Sequence, residues 1–226
     1  MQRSTFLIFL VLIIAIGGGS VWYLMHTRQA SLEQLQESAT STQEVAAGQS
    51  IYTNGTYGFT VFYPGDAGID YDFAPTYHLG SAWRASALPE AQGTPIISII
   101  PYSVENEHTY PRYFHAMVRI GASDDPKEIA ACLAPTPDQG ETALADTVIN
   151  GTTWKTFSFE SAGMMQYARG VSYRTVHEGK CIALEKIRTG SSYRDEPNEA
   201  DIDDGVLDAA YESLDPVIMS FSFARP

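Results

Sequence analysis

From Ile51 onward, hydrophobic and polar positions alternate in short bursts separated by turn residues, a pattern of strands rather than of long helices. Tyr57, Phe59, Val61 and Tyr63 alternate with Gly58, Thr60 and Phe62, and Pro64 ends the run. Residues 95–100 are apolar at nearly every position, which predicts a strand covered on both faces; residues 114–120 predict another. Strands over 142–149 and 152–159 flank Asn150-Gly151, a dipeptide suited to the positive φ angles of a tight hairpin. Strands over 164–176 and 181–189 flank His177-Glu178-Gly179-Lys180 in the same way. Two helices stand out. Asp125-Pro126-Lys127-Glu128 sets an N-cap, a proline in the first turn and an acid at the third position, and Pro135 and Pro137 stop that helix early. Near the end Ile202, Val206, Leu207, Ala210, Leu214, Val217, Ile218 and Phe221 recur at spacings of three and four. This predicts an amphipathic helix broken at Asp215-Pro216. Strands covered by a few helices indicate an α+β domain with a largely antiparallel sheet.

The N-terminus follows a different rule. Residues 6–16 are an unbroken apolar run, Gly17-Gly18-Gly19-Ser20 interrupts it, and Val21-Trp22-Tyr23-Leu24-Met25 resumes it. About twenty such residues span roughly 30 Å of hydrocarbon as a helix. Arg3 and the free amine precede the run, so the positive-inside rule keeps the N-terminus cytoplasmic. The rival is a cleaved signal peptide, with residues 6–16 as its apolar core and the Gly/Ser cluster as its cleavage region. Both readings place the body outside the cytoplasm, periplasmic or extracellular. Residues 29–50 are rich in Gln, Ser, Thr, Glu and Ala without an aromatic side chain and read as a stalk. The expected organisation is therefore a single-pass membrane anchor or signal peptide over 1–28, a stalk over 29–50 and one domain over 51–226.

Tyr52, Tyr57-Gly58-Phe59-Thr60-Val61-Phe62-Tyr63-Pro64 and the closing Val217-Ile218-Met219-Ser220-Phe221-Ser222-Phe223 together resemble PsbP-like domains, in particular exported bacterial members. In those relatives an Asn-Gly hairpin, here Asn150-Gly151, precedes a Tyr-rich strand and a strand bearing a cysteine. The resemblance implies an α/β/α sandwich, an antiparallel sheet flanked by helices. It also implies a non-catalytic accessory that binds a larger partner. Where such domains commonly place a Trp soon after the Tyr-Pro strand, this chain has Gly65-Asp66-Ala67-Gly68.

Charge narrows the partners. The chain has 14 Lys and Arg against 27 Asp and Glu, a net of −13. Arg3 and Arg28 are the only charged side chains before Glu33, which leaves −15 on residues 29–226. Such a body is repelled by nucleic-acid phosphates and by anionic lipid head groups. It suits a protein partner with a basic surface or a cationic ligand.

The candidate chemistry is sparse. Cys132 and Cys181 are the only cysteines; an even count outside the cytoplasm favours a disulfide, with two buried thiols as the alternative. Glu105, Glu107, His108 and His115 have the composition of a metal site but no ligand spacing, so a solvated loop competes with that reading. His78 and His177 have no sequence-local partner. Asp201-Ile202-Asp203-Asp204-Gly205 fails the EF-hand register, since Ala200 and Tyr211 would fall at its first and last positions. These acids favour a helix start, with weak loop-type calcium binding through 195–204 as the alternative. No nucleophile elbow, zinc-protease motif, phosphate loop or dinucleotide fingerprint occurs, and no cofactor is expected. Tyr71, Phe73, Tyr77, Tyr102, Tyr110 and Tyr113 fall in or beside long connections, where a binding face would be sought first. The expectation is a membrane-anchored extracytoplasmic binding or assembly accessory without catalysis. The alternative is a cell-envelope hydrolase using carboxylate and histidine chemistry, with or without a metal.

Overall fold

Antiparallel pairing organises the body. The computed structural model describes residues 47–76, 78–104, 113–191 and 202–224, all within the unit Val45–Pro226. The expected membrane segment and nearly all of the stalk lie outside the described residues. β1 (Gln49–Asn54), β2 (Phe59–Pro64) and β11 (Ser222–Phe223) form a small sheet in the order β1-β2-β11. β3 (Gly68–Asp70), β4 (Thr94–Val104), β5 (Phe114–Ser123), β6 (Glu141–Ala143), β7 (Thr147–Ile149), β8 (Thr152–Gly163), β9 (Gln166–His177) and β10 (Lys180–Ser191) form a larger one. Its order is β3-β4-β5-β10-β9-β8-β6, with β7 also paired to β8. The helices are few and short: α1 (Pro126–Ala131), α2 (Asp204–Glu212) and α3 (Asp215–Ser220).

Local signals explain most of these elements. Asn150 and Gly151 take φ of 46° and 82°, and Glu178 and Gly179 take 48° and 72°, as two-residue hairpins require. Asp125 Oδ1 accepts from the backbone N–H groups of Lys127 and Glu128 and so caps α1. The C-terminal helical stretch breaks before Asp215-Pro216, giving α2 and α3. Two expectations need correction. The strand expected over 142–149 is two short strands, because the chain leaves the ladder after Ala143 and Asp146 turns outward to pair with Lys155 at 2.8 Å. The strand expected from 164 begins at Gln166, because Met164 and Met165 form a third tight turn with φ of 48° and 63°. Left-handed backbone costs a bulky residue roughly 1–2 kcal/mol, and here two long paired strands hold it in place.

The large sheet has two differently covered faces. On the front, Ile97, Val118, Ile120, Trp154 and Leu184 pack with Leu207 of α2, Val217 and Ile218 of α3, and Phe59 and Phe221 near the small sheet. This is the main core. On the back, the helical layer of an α/β/α sandwich is not clear: α1 sits at one corner, and residues 71–76 and 78–93 run across the sheet as an irregular strap. The strap approaches so closely that a Cβ on Gly121 would lie 1.8 Å from the Trp83 carbonyl oxygen, and one on Gly93 would lie 2.3 Å from the Trp83 ring. The Cys132–Cys181 disulfide is formed and packs beside Trp83, tying the end of α1 to β10. Closing a loop with a sequence separation of 49 stabilises the fold by about 4 kcal/mol on chain-entropy grounds.

Buried charge fastens the strap. Arg119 donates to the carbonyls of Gly80 at 2.9 Å and Ala74 at 2.8 Å, and its guanidinium lies 4.7 Å from the Phe73 ring centre. Burial lowers its pKa to about 10, against the opposing pull of Glu185 and Asp70, so it stays charged at neutral pH. The Glu185 carboxylate accepts from the Ala85 N–H through both oxygens, at 3.1 and 2.9 Å. Full burial pushes its carboxyl above the ordinary range, with that N–H and Arg119 opposing. Nearby, Glu141 accepts from Arg174 at 2.7 Å and from the Thr136 N–H at 2.7 Å, and Arg84 lies 3.7 Å away. Arg174 is wholly buried, 3.8 Å from the Phe157 ring centre.

Candidate functional site

Strand register builds a cationic patch on the front face. Side chains alternate along a strand, and Leu184 belongs to the front core, so Lys186 and Arg188 face the same way. The β9–β10 pairing sets Arg169 directly opposite Arg188. Like charges in register destabilise a sheet, and the chain is acidic overall, so this pairing is costly unless something answers it.

Two of the three cations are answered by the C-terminal helices. Arg188 pairs with Asp208 of α2 at 2.6 Å, and Lys186 pairs with Asp215 of α3 at 2.5 Å. Tyr211 lies between them, its ring centre 4.2 Å from Lys186 Nζ and 4.9 Å from the Arg188 guanidinium. Burial raises the Tyr211 pKa to about 12 despite Arg188, so it remains a neutral phenol. Arg169 differs. Its guanidinium lies 5.0 Å from the Tyr167 ring centre, its Nε is shielded without an acceptor, and among the described residues no carboxylate is within ion-pair distance. Glu160, its register partner on β8, stays beyond that distance.

Arg169, Arg188, Tyr167 and Asp208 line a cleft of about 540 Å³ between α2 and the β8–β9 hairpin. Phe114 and Leu207 give it an apolar floor, Gln166, Tyr167 and Arg169 one wall, and Asp208 the other. Gly190 makes room for Tyr167, since a Cβ there would lie 2.7 Å from the phenolic oxygen. Glu160 and Asp204 also reach the cleft, so carboxylates surround the Arg169–Arg188 pair.

The aromatic residues singled out from sequence do not gather on one face. Phe73 is buried beneath Arg119, and Tyr71 is 61 % exposed, 6.3 Å from Tyr52. Tyr102 packs edge-on against Phe114 at 6.0 Å, behind the cleft floor. Tyr113 reaches the rim, its hydroxyl donating to Gln166 Oε1 at 3.2 Å, and burial raises its pKa, aided by Tyr167. Tyr77 and Tyr110 lie outside the described residues, as do Glu105, Glu107 and His108. His115 meets the Ser103 hydroxyl through Nδ1 at 3.3 Å and the Tyr113 ring edge-on. Among the described residues no group of three or more His, Cys, Asp or Glu side chains could hold a metal ion.

Sequence reading passed over Arg169, Arg188, Tyr167 and Tyr211. A signal for the first pair existed: equal steps outward from the two-residue Glu178-Gly179 turn bring Arg169 and Arg188 opposite each other. His78, which has no partner nearby in sequence, finds two in the fold: in the neutral imidazole Nε2 donates to the Gly163 carbonyl at 2.8 Å and Nδ1 accepts from the Ser161 hydroxyl at 3.1 Å. This pair borders a second cavity of about 620 Å³ on the strap side.

No protein-family model matches the chain, and no curated protein matches it. Among solved structures it is similar to the solution structure of cyanobacterial PsbP (CyanoP) from Synechocystis sp. PCC 6803. The identity is 11 %, the TM-score 0.39, and the match covers 78 % of this chain and 93 % of that one. At that identity and TM-score, nothing about ligand, partner or activity is carried over from it.

Proposed function

We propose that this chain is a PsbP-like binding or assembly module, non-catalytic, held outside the cytoplasm by its N-terminal apolar segment and meeting its partner along the cleft beside α2. The observation that carries the reading is the furnished part of the front face that no described residue covers. Ionic and aromatic side chains line an open cleft there, whereas on the back equally charged residues are consumed in holding the strap. A partner with a basic surface or a cationic ligand fits the −15 of residues 29–226 and the carboxylates of Glu160, Asp204 and Asp208 along the cleft. Cross-linking in native membranes tests it. A single stoichiometric partner, lost as salt rises, is the expected result. Capture indifferent to salt removes the electrostatic part, and no capture at a detectable expression level overturns the module reading.

One observation favours a second reading, a cell-envelope hydrolase. The Ser161–His78 pair has the donor–acceptor order of a hydroxyl nucleophile and its base, with the Gly163 carbonyl fixing the ring. Full-length chain that cleaves a p-nitrophenyl ester, and loses that turnover in Ser161→Ala, would support it. Equal rates in the two proteins would dismiss it.

A further inference from the structure

We infer that the Arg169 end of the front cleft is a subsite for a monoanionic carboxylate borne on an apolar or aromatic body; the inference rests on the cleft being the contact surface. Arg188 and Lys186 each have a helix carboxylate, while Arg169 has an aromatic ring and, among the described residues, no acid within ion-pair distance. It stands opposite Arg188, and Asp208 pairs with Arg188 alone, so a carboxylate bound beside Arg169 would relieve the repulsion that remains. The guanidinium is planar and suited to a bidentate carboxylate, and the Tyr167 ring, seated over Gly190, limits how it can turn.

The rest of the cleft selects the ligand's other properties. The exposed side chains of Ala162 and Met165 in its lining favour an apolar or aromatic body behind the carboxylate. Glu160, Asp204 and Asp208 disfavour a dianion, since each added negative charge meets three carboxylates, so a phosphate is a poorer occupant than a carboxylate. The Gln166 side chain, which lines the cleft and whose carbonyl oxygen is engaged by Tyr113, keeps its amide donors for a second contact.

The test uses the full chain in nanodiscs of zwitterionic lipid, with empty nanodiscs as the blank and saturation-transfer NMR of benzoate as the probe. Benzoate should bind saturably. Arg169→Gln should weaken it at least tenfold, Arg169→Lys should fall between, and benzamide should bind at least tenfold more weakly than benzoate, as loss of a charge-assisted pair predicts. Inorganic phosphate should compete no better than benzoate. Absence of benzoate binding at tens of millimolar, equal affinity in Arg169→Gln, equal binding of benzamide, or stronger competition by phosphate would each overturn the inference. If Arg169→Gln does not fold, Arg169→Lys and the benzamide comparison still decide. Benzoate that also displaces the cross-linked partner places the carboxylate on that partner, and benzoate that binds without displacing it points to a free small molecule. Partner capture that persists while benzoate fails leaves the module reading standing and removes only this subsite. Benzoate binding without any captured partner does the reverse.

Discussion

The two faces of the large sheet put the same residue type to opposite uses. On the back, Arg174 is sealed from water with Glu141 at 2.7 Å and Phe157 beneath it. On the front, Arg169 lines a cleft with a tyrosine beside it and, among the described residues, no acid within ion-pair distance. Both are single arginines on β9, five residues apart, on opposite sides of the pleat. Desolvation separates them. An arginine that has lost its water must be paired to be tolerated, whereas one at a cleft wall keeps water until something displaces it. The back face therefore converts charge into architecture, and the front face holds it available.

Two changes of about equal size bear most on this contrast. Replacing Cys132 and Cys181 together with Ala should lower unfolding free energy by up to about 4 kcal/mol, read in urea melts of the variant and the oxidised parent. A loss below about 1 kcal/mol would mean that buried charge alone retains the strap. Next comes the arginine pair itself: Arg174→Ala should cost about 3–5 kcal/mol because it strands Glu141. Arg169→Ala should change stability by less than about 0.5 kcal/mol, as a substitution outside the buried network does. Similar losses at both sites would erase the distinction drawn between the faces.

A pH titration sharpens the same comparison. The folded-state pKa of Glu185 is raised by burial above its ordinary 4.5. Between those two values the folded protein binds more protons than the unfolded chain, so this group stabilises at low pH, and its contribution is lost as pH rises through the raised value. Glu185→Gln should flatten that decline from about pH 4.5 upward, measured as thermal midpoint against pH. An unchanged slope would show that the carboxyl stays ionised beneath the strap. A modest gain belongs to the hairpin between β8 and β9. Exchanging Met164-Met165 for Asn-Gly should raise stability by about 1 kcal/mol or more, because these residues accept the left-handed backbone. A loss instead would show that the methionine side chains are needed where they stand.

Legibility in the sequence followed locality. Asn150-Gly151, the Asp125 cap and the break at Asp215-Pro216 were readable because each rests on the conformational preferences of adjacent residues. The Met164-Met165 turn was not, since its residue types argue against the backbone they adopt. The strap was illegible for another reason: it has no period, and its attachments to Arg119 and Glu185 span 39 to 100 residues. For the cleft, alternation could place Tyr167 and Arg169 on one side of a strand, and turn counting could add Arg188. Nothing local tells which acids α2 and α3 bring over them.

The small sheet joins the two ends of the body. Ser220 Oγ accepts from the Phe62 N–H at 2.9 Å and donates to its carbonyl at 3.1 Å across 158 residues, and Phe59 stacks on Phe221 at 4.9 Å. Until the last turn of chain has been delivered, the outer edge of β2 has nothing to pair with, and a bare edge is an invitation to aggregation. Closure over so long a separation is slow, so the interval between synthesis and sealing is a period of vulnerability for every molecule. A chain clipped before Ser220 would keep nearly every other described element of the body and yet leave that edge of β2 bare.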